Sequence, residues 1–259
     1  RLVNQNHEVH VAYQTSGYMG VNDDYAFRYL SFLKSFLDIY EPTNETSTKK
    51  YGEMKDFLEK RPKDSLDTDD LLQVKALIRR GEAKSACRFL GLRSNHVHFL
   101  DLPFYDTGRV EKNPLSDKDT KAMVQLLRKV KPHQVFATGD LNDPHRTHRI
   151  ALNALMEALN IVARDDWMKN CYVWLYQGTG DWSIDQIDMA VPLSPDELNI
   201  KRLVMLKHHT QMHRTLAHEQ PVQEFWEMEE DRNRKLAQLY DKIGMAEYEA
   251  MEAFLRFIP

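Results

Sequence analysis

Two histidines, His145 and His148, stand three residues apart in the run GDLNDPHRTHRI, behind an Asp-Pro step where an apolar strand gives way to a helix. With Asp143 as the N-cap and Pro144 at the first helical position, both imidazoles fall on one face of the opening turns. A helix amino terminus disfavours imidazolium, so both rings stay neutral near pH 7, the form that can coordinate a metal. One reading is a metal ligand plus an acid or electrostatic helper. The other is a capped helix start with two ordinary polar histidines. Zinc needs three or more protein ligands, so the remaining histidines bear on the choice. His7 and His10 stand at a strand edge, His96 and His98 alternate within HVHFL as structural residues do, and His133 follows Pro132 outside a strand. His208 and His209 close a helix, where adjacent side chains diverge, so at most one faces inward.

The elements that must hold these groups follow from hydrophobic periodicity. Strands are predicted over HEVHVAYQTSG, HVHFLDLP, QVFATG, CYVWLYQG and IDMAVPL. Helices are predicted over YAFRYLSFLKSFLDIY, residues 48–60, DTDDLLQVKALIRRGEAKSACRFLGL, SDKDTKAMVQLLRKVKP, HRIALNALMEALNIVA and SPDELNIKRLVMLKHHTQ. This alternation predicts an α/β fold, a Rossmann-like and mostly parallel sheet flanked by helices, with ligand groups in loops at the strand carboxyl ends. RLVNQN reads as the last turns of a helix ended by Asn6 in the left-handed conformation. With no methionine at the start, that is the pattern of a fragment whose first strand is missing. From Gln223 onward, Glu, Arg and Lys with interspersed aromatics predict a helical extension. The expected division is therefore an α/β domain over 1–215 and a helical extension over 216–259 packed on it, with 107–116 as a loop.

Composition narrows the function classes. At 259 residues and 42% apolar content the chain can fill a real core. A formal charge of -4 gives no reason to expect nucleic acid or an anionic membrane as a partner, since both need concentrated Lys and Arg. No apolar run reaches the length of a membrane span. Cys87 and Cys171 read as buried thiols of a reducing, cytoplasmic compartment. A dinucleotide site is weakly supported, because no G-x-G-x-x-G follows any strand.

The order of features, VAYQTSG, IRRGEAKSACRFLGL, FLDLPFYDTG, FATGDLNDPHRTHRIAL and LKHHTQ, resembles the PIG-L/LmbE family of zinc-dependent de-N-acetylases. That family acts on N-acetylglucosamine-type conjugates, and the likeness covers about residues 1–212. The longer pattern through VWLYQG, IDQIDMAVPLSPDEL and EFWEMEEDRNRKLAQLYDKIGMAEYEAMEAF is similar to the carboxyl-terminal half of two-part bacterial proteins. Their amino-terminal half resembles glucosamine-6-phosphate deaminase (isomerase).

The resemblance implies roles. His148 matches a metal-binding histidine, and His145 the histidine that stabilises or protonates the reacting centre. Arg79 resembles a substrate-contacting arginine and Asp106 an aspartate that binds sugar hydroxyls. His208 and Gln211 match the His-x-Ser/Thr-Gln near the end of the family core. Thr147 stands where the commoner His-Pro-Asp-His has aspartate. Each residue also has an ordinary reading: Arg79 pairs with Glu82, Asp106 caps a turn before Gly108, and His208 decorates a helix end. The family's His-Pro-Asp-Asp, source of two metal ligands and the base, occurs nowhere in the chain. In the family it precedes a helix in whose middle Arg1 would fall, so zinc is expected in the intact protein and not in this chain alone.

Two functions stay open. One is metal-assisted hydrolysis of an acetamide on an amino sugar, N-acetylglucosamine 6-phosphate being the substrate the attached deaminase-like domain suggests. The other is a non-catalytic sugar-sensing or oligomerisation module of that parent, for which a homo-oligomer would be expected.

Overall fold

The computed structural model describes residues 1–41, 45–139, 146–177, 182–212 and 224–259. Strand β1 (Val11–Tyr13) is followed by helices α1 (Asp23–Tyr40), α2 (Glu45–Glu59) and α3 (Asp69–Phe89), then by β2 (Val97–Phe99). Helix α4 (Asp117–Val130), β3 (Gln134–Thr138), α5 (Thr147–Val162) and β4 (Tyr172–Tyr176) come next. The chain continues through β5 (Met189–Leu193), α6 (Pro195–Met205), α7 (Phe225–Lys242) and β6 (Ala250–Phe257).

Local chemistry sets the helix starts. The Asn22 side chain accepts the Tyr25 amide of α1, and the Thr68 hydroxyl accepts the Leu71 amide of α3. Ser116 with Asp119 and Ser194 with Glu197 close capping boxes on α4 and α6, satisfying amides that would otherwise lack acceptors. Asn6 is left-handed at φ 62°, as its position predicts, and ends a set of hydrogen-bonded turns over residues 2–6.

β1 and β2 pair in parallel with Val11 opposite Val97 and Tyr13 opposite Phe99. The second sheet runs β3-β4-β6-β5, with β3 and β4 parallel and β6 antiparallel to both neighbours. The α/β architecture stands as predicted. The tail does not: Phe225–Lys242 is helical, but Ala250–Phe257 is a strand set between β4 and β5. The expected helical extension over 216–259 therefore gives way, at its end, to a central element of the sheet. Its Ala, Met, Glu and Leu favour helix locally, and ladder bonds to strands on both sides override that preference.

α5 carries Ala151, Leu152, Ala154, Leu155, Ala158, Leu159 and Val162 on its buried face, spaced to cover one side of a helix. With Phe104, Leu127, Val173 and Leu175 they form the main core. A second cluster, Ala26, Leu30, Met54 and Leu71, joins α1, α2 and α3. Asp119, fully buried, accepts the Phe104 amide at 2.9 Å, the Ser116 amide at 2.9 Å and the Ser116 hydroxyl at 2.5 Å. It thereby ties the loop after β2 to α4. Among the described residues no helix is long and apolar enough to cross a membrane.

Candidate functional site

The carboxyl ends of β1, β2 and β3 converge where a parallel sheet presents its loops. The Leu100 amide donates to Tyr13 O and the Leu102 amide to Gln14 O, both at 2.9 Å, so the β1 and β2 exit loops run side by side. Tyr18 then locks them together. Its hydroxyl donates to Tyr105 O at 3.0 Å and accepts the Gly108 amide at 2.9 Å.

A cavity of about 320 Å3 opens at these strand ends, lined by Gly17, Arg79, Thr138, His148, Tyr176 and His208 among others. A larger one, about 560 Å3, lies beside β6 and α7, lined by Phe136, Trp182, Phe225 and Phe254. Its charged groups are already paired, Lys201 with Glu252 at 2.6 Å and Arg232 with Glu229 at 2.5 Å, and no histidine is among the described residues that line it. The smaller cavity holds the groups that can do chemistry.

Behind its wall, Arg79 is held by a buried carboxylate. Arg79 Nη1 donates to Glu82 Oε2 at 2.8 Å and to Thr210 Oγ1 at 3.2 Å. The Thr210 amide donates to Glu82 Oε1 and its hydroxyl to Glu82 Oε2, each at 2.8 Å. The Glu82 side chain is only 4% exposed, so a charge there requires this full set of partners. Gly17 makes room for the guanidinium: at φ +67° a Cβ would stand 3.1 Å from Arg79 Nε. That Nε and the Nδ1 of His208 are buried and lack a hydrogen-bond partner among the described residues. Burial, helped by the Arg79 charge, holds the His208 imidazole below its ordinary pKa, with Glu82 opposing.

Each sequence-predicted residue has a place. Arg79 pairs with Glu82, as its ordinary reading expects, and it also lines the cavity. His208 lines it too, while His209 is exposed, so one of the adjacent pair faces inward. α6 ends at Met205 and a separate short turn carries His209–Gln211. Gln211 bonds Gly20 O at 2.9 Å and Thr210 Oγ1 at 3.2 Å, holding the loop after β1 and staying out of the cavity lining. Asp106 lies in an adjoining cavity of about 390 Å3 that shares Ser16 and Arg80 with the first. Its backbone amide also closes the short turn Pro103–Tyr105.

His148 is in the first turn of α5 and lines the cavity. The helix start differs from expectation: its N-cap is Arg146, left-handed at φ 61°, and not Asp143. Asp143, Pro144 and His145 lie outside the described residues. Glu82 and Thr210 were the residues whose site role sequence reasoning missed. The Arg-x-x-Glu spacing signalled the first, but only folding brings Thr210 to it.

Among the described residues, the group of three side chains with ligand atoms mutually within 4.8 Å is Glu8, His10 and His96. These stand before β1 and β2, away from His148. The described donors around His148 therefore do not fit a zinc ion by themselves.

Relatives place this geometry. A glucosamine-6-phosphate deaminase-like protein of Bacteroides thetaiotaomicron is 45% identical over 263 residues, covering 100% of this chain and 40% of that protein. The chain thus spans well under half of the relative's length. The N,N'-diacetylchitobiose deacetylase of Pyrococcus horikoshii shares the fold at TM-score 0.57 and 20% identity, over 99% of this chain and 75% of that one. The 4-carboxy-2-hydroxymuconate hydratase GalB of Pseudomonas putida does so at TM-score 0.51 and 17% identity, over 97% and 96%. The family described as PIG-L, GlcNAc-PI de-N-acetylase, matches residues 1–159, more than half of the sequence, and the chain belongs to that family.

Proposed function

We propose that this domain, within its parent protein, hydrolyses the acetamide of an N-acetylglucosamine derivative, N-acetylglucosamine 6-phosphate being the substrate suggested by the deaminase-like relative. The observation that carries this reading is that Arg79, His148 and His208, from three separate segments, line one cavity at the strand carboxyl ends. In the reaction, water oxygen bonds to the acetyl carbon, the C–N bond breaks, and the amine nitrogen takes the proton that leaves the water. The products are acetate and the free amino sugar.

The chain's own residues bind and orient. Arg79, fixed by Glu82 and Thr210, offers a cation with a preset direction to a sugar hydroxyl or phosphate. Neutral His208 hydrogen-bonds the acetamide or its neighbouring hydroxyl, and Asp106 in the adjoining cavity accepts from the sugar's far hydroxyls. Gln211 positions the loop after β1. His145 is assigned the acid role by family likeness. Zinc belongs to the proposal through the family alone, because the described donors at His148 do not complete a site. Room for more exists: among the described residues β1 and β3 each pair on one side only, and residues of both line the cavity. A strand bearing His-Pro-Asp-Asp would fit that arrangement.

A second reading, a non-catalytic sugar-sensing or oligomerisation module, draws support from Thr147 standing where the family pattern has aspartate. A fold likeness to a hydratase likewise shows that the scaffold alone does not fix the chemistry. Acetate release from N-acetylglucosamine 6-phosphate by the full-length parent, with its metal content, separates the two. Activity lost in His148→Ala supports the enzyme; a zinc-replete parent that releases no acetate from any N-acetylglucosamine derivative tested supports the module.

A further inference from the structure

We propose that α1 pairs with α1 of a second copy of the chain, antiparallel about a two-fold axis, through an aromatic seam that the fold leaves open. The buried side of α1 carries Ala26 and Leu30, which pack with Met54 of α2 and Leu71 of α3. A further apolar set, Tyr29, Phe32, Leu33, Phe36, Ile39 and Tyr40, stands between 43% and 71% exposed. At about 3.6 residues per turn these six cover a continuous arc of about 120° beside the buried one. The charged residues of the helix, Asp23, Asp24, Arg28, Lys34 and Asp38, all fall outside that arc. Apolar side chains scattered singly over a surface are ordinary, whereas a contiguous patch of this kind marks an interaction site.

The spacing identifies what covers it. Tyr29, Phe32, Phe36 and Ile39 follow one another at intervals of three, four and three, the seam by which one helix packs along another, with Leu33 and Tyr40 beside it. The partner is therefore a helix with a matching seam, and α1 supplies one. Positions 29 and 39 are equidistant from position 34, and so are 32 and 36. Two antiparallel copies thus share every layer of the seam, Tyr29 of one beside Ile39 of the other and Phe32 beside Phe36, the self-complementarity that a two-fold interface requires. Opposed directions also set the helix dipoles favourably and keep Asp23 and Asp24, both in the first turn, away from the same residues of the other copy.

The area suffices. An aromatic side chain presents about 150–250 Å2, so at their exposures the four rings alone leave roughly 450 Å2 open on each copy. With Leu33, Ile39 and the polar rim, pairing buries on the order of 1,200 Å2 in total, the lower bound for specific, stable interfaces. Phe and Tyr are also among the residues enriched in such interfaces. None of the six lines the Arg79 cavity, so the pairing is independent of the proposed hydrolysis.

The test uses the full-length parent, with its mass read by sedimentation velocity and the contact read by cross-linking. Leu33 stands one residue from the axis, so Leu33→Cys is expected to form an interchain disulfide under mild oxidation. Ile161→Cys on α5, comparably exposed, is expected to form none. Phe32→Glu/Ile39→Glu, placed in the Leu33→Cys protein, alters two mostly exposed side chains and is expected to lower the cross-link yield at least tenfold with the circular dichroism spectrum unchanged. A monomeric wild-type parent overturns the proposal and leaves the seam to a contact within one chain. So does a Leu33→Cys cross-link no more abundant than that of Ile161→Cys, or one that the two glutamates leave unchanged.

Discussion

Arg79 Nη1 and Thr210 Oγ1, 131 positions apart in the chain, meet at 3.2 Å over one carboxylate, that of Glu82. This joins α3 to the turn after α6 and holds Arg79 in the cavity wall. Removing one partner of a buried ion pair leaves the other uncompensated, at a cost of about 3–5 kcal/mol. Glu82→Gln should therefore lower unfolding free energy by about 3 kcal/mol in urea denaturation, and Thr210→Val by about 1 kcal/mol. A Glu82→Gln loss near zero would show that the charge does not hold the cluster.

His208 carries a pH signature. Burial lowers its pKa in the folded chain, so in the unfolded chain it returns to about 6.5. As pH falls the unfolded state takes the proton first. Its contribution to stability is full above about 6.5 and declines through the window between that value and the lower folded one. Imidazole resonances followed across about pH 5 to 8 should show His208 titrating below the ordinary value, and His208→Gln should flatten that part of the stability profile. A ring titrating at or above 6.5 contradicts this.

Two glycines in one loop should respond differently to alanine. At Gly17 the positive φ strains any Cβ and the neighbour 3.1 Å away is the guanidinium, so Gly17→Ala costs about 1–2 kcal/mol and displaces Arg79. At Gly20 the nearest atom, 2.7 Å away, is the far end of the Gln211 side chain, which can swing aside for the loss of its two hydrogen bonds, about 1 kcal/mol each. If the parent deacetylates an amino sugar, KM should rise in Gly17→Ala much more than in Gly20→Ala. Equal effects would remove Arg79 from substrate binding.

Asp119→Ala should destabilise by about 3 kcal/mol, because three donors, including the Phe104 amide, lose a charged acceptor. Hydrogen exchange should rise first at Phe104 and its neighbours. Protection unchanged there would mean the loop after β2 is held by packing alone.

The sequence showed most where information is local. The caps Thr68 and Ser116, the left-handed Asn6 and the buried stripe of α5 are written within a few residues each. β6 was hidden because Ala250–Phe257 has a helical composition and acquires its strand character from β4 and β5. The start of α5 differs because the Asp-Pro step satisfies the capping rule three residues before the observed Arg146. Arg79 and His208 were found as single candidates; their shared cavity, and Thr210 between them, depend on contacts between distant segments. The meeting of His10 with His96 and His98 is of the same kind, since the register that brings them together belongs to the paired strands.

The position of β6 has a consequence for biosynthesis. β4 and β5 do not touch each other; each pairs with β6, which follows both in chain order by more than fifty residues. While the ribosome is still extending the polypeptide toward Phe257, both strands present unsatisfied backbone edges, and a nascent chain stalled there would be a target for chaperones and for self-association.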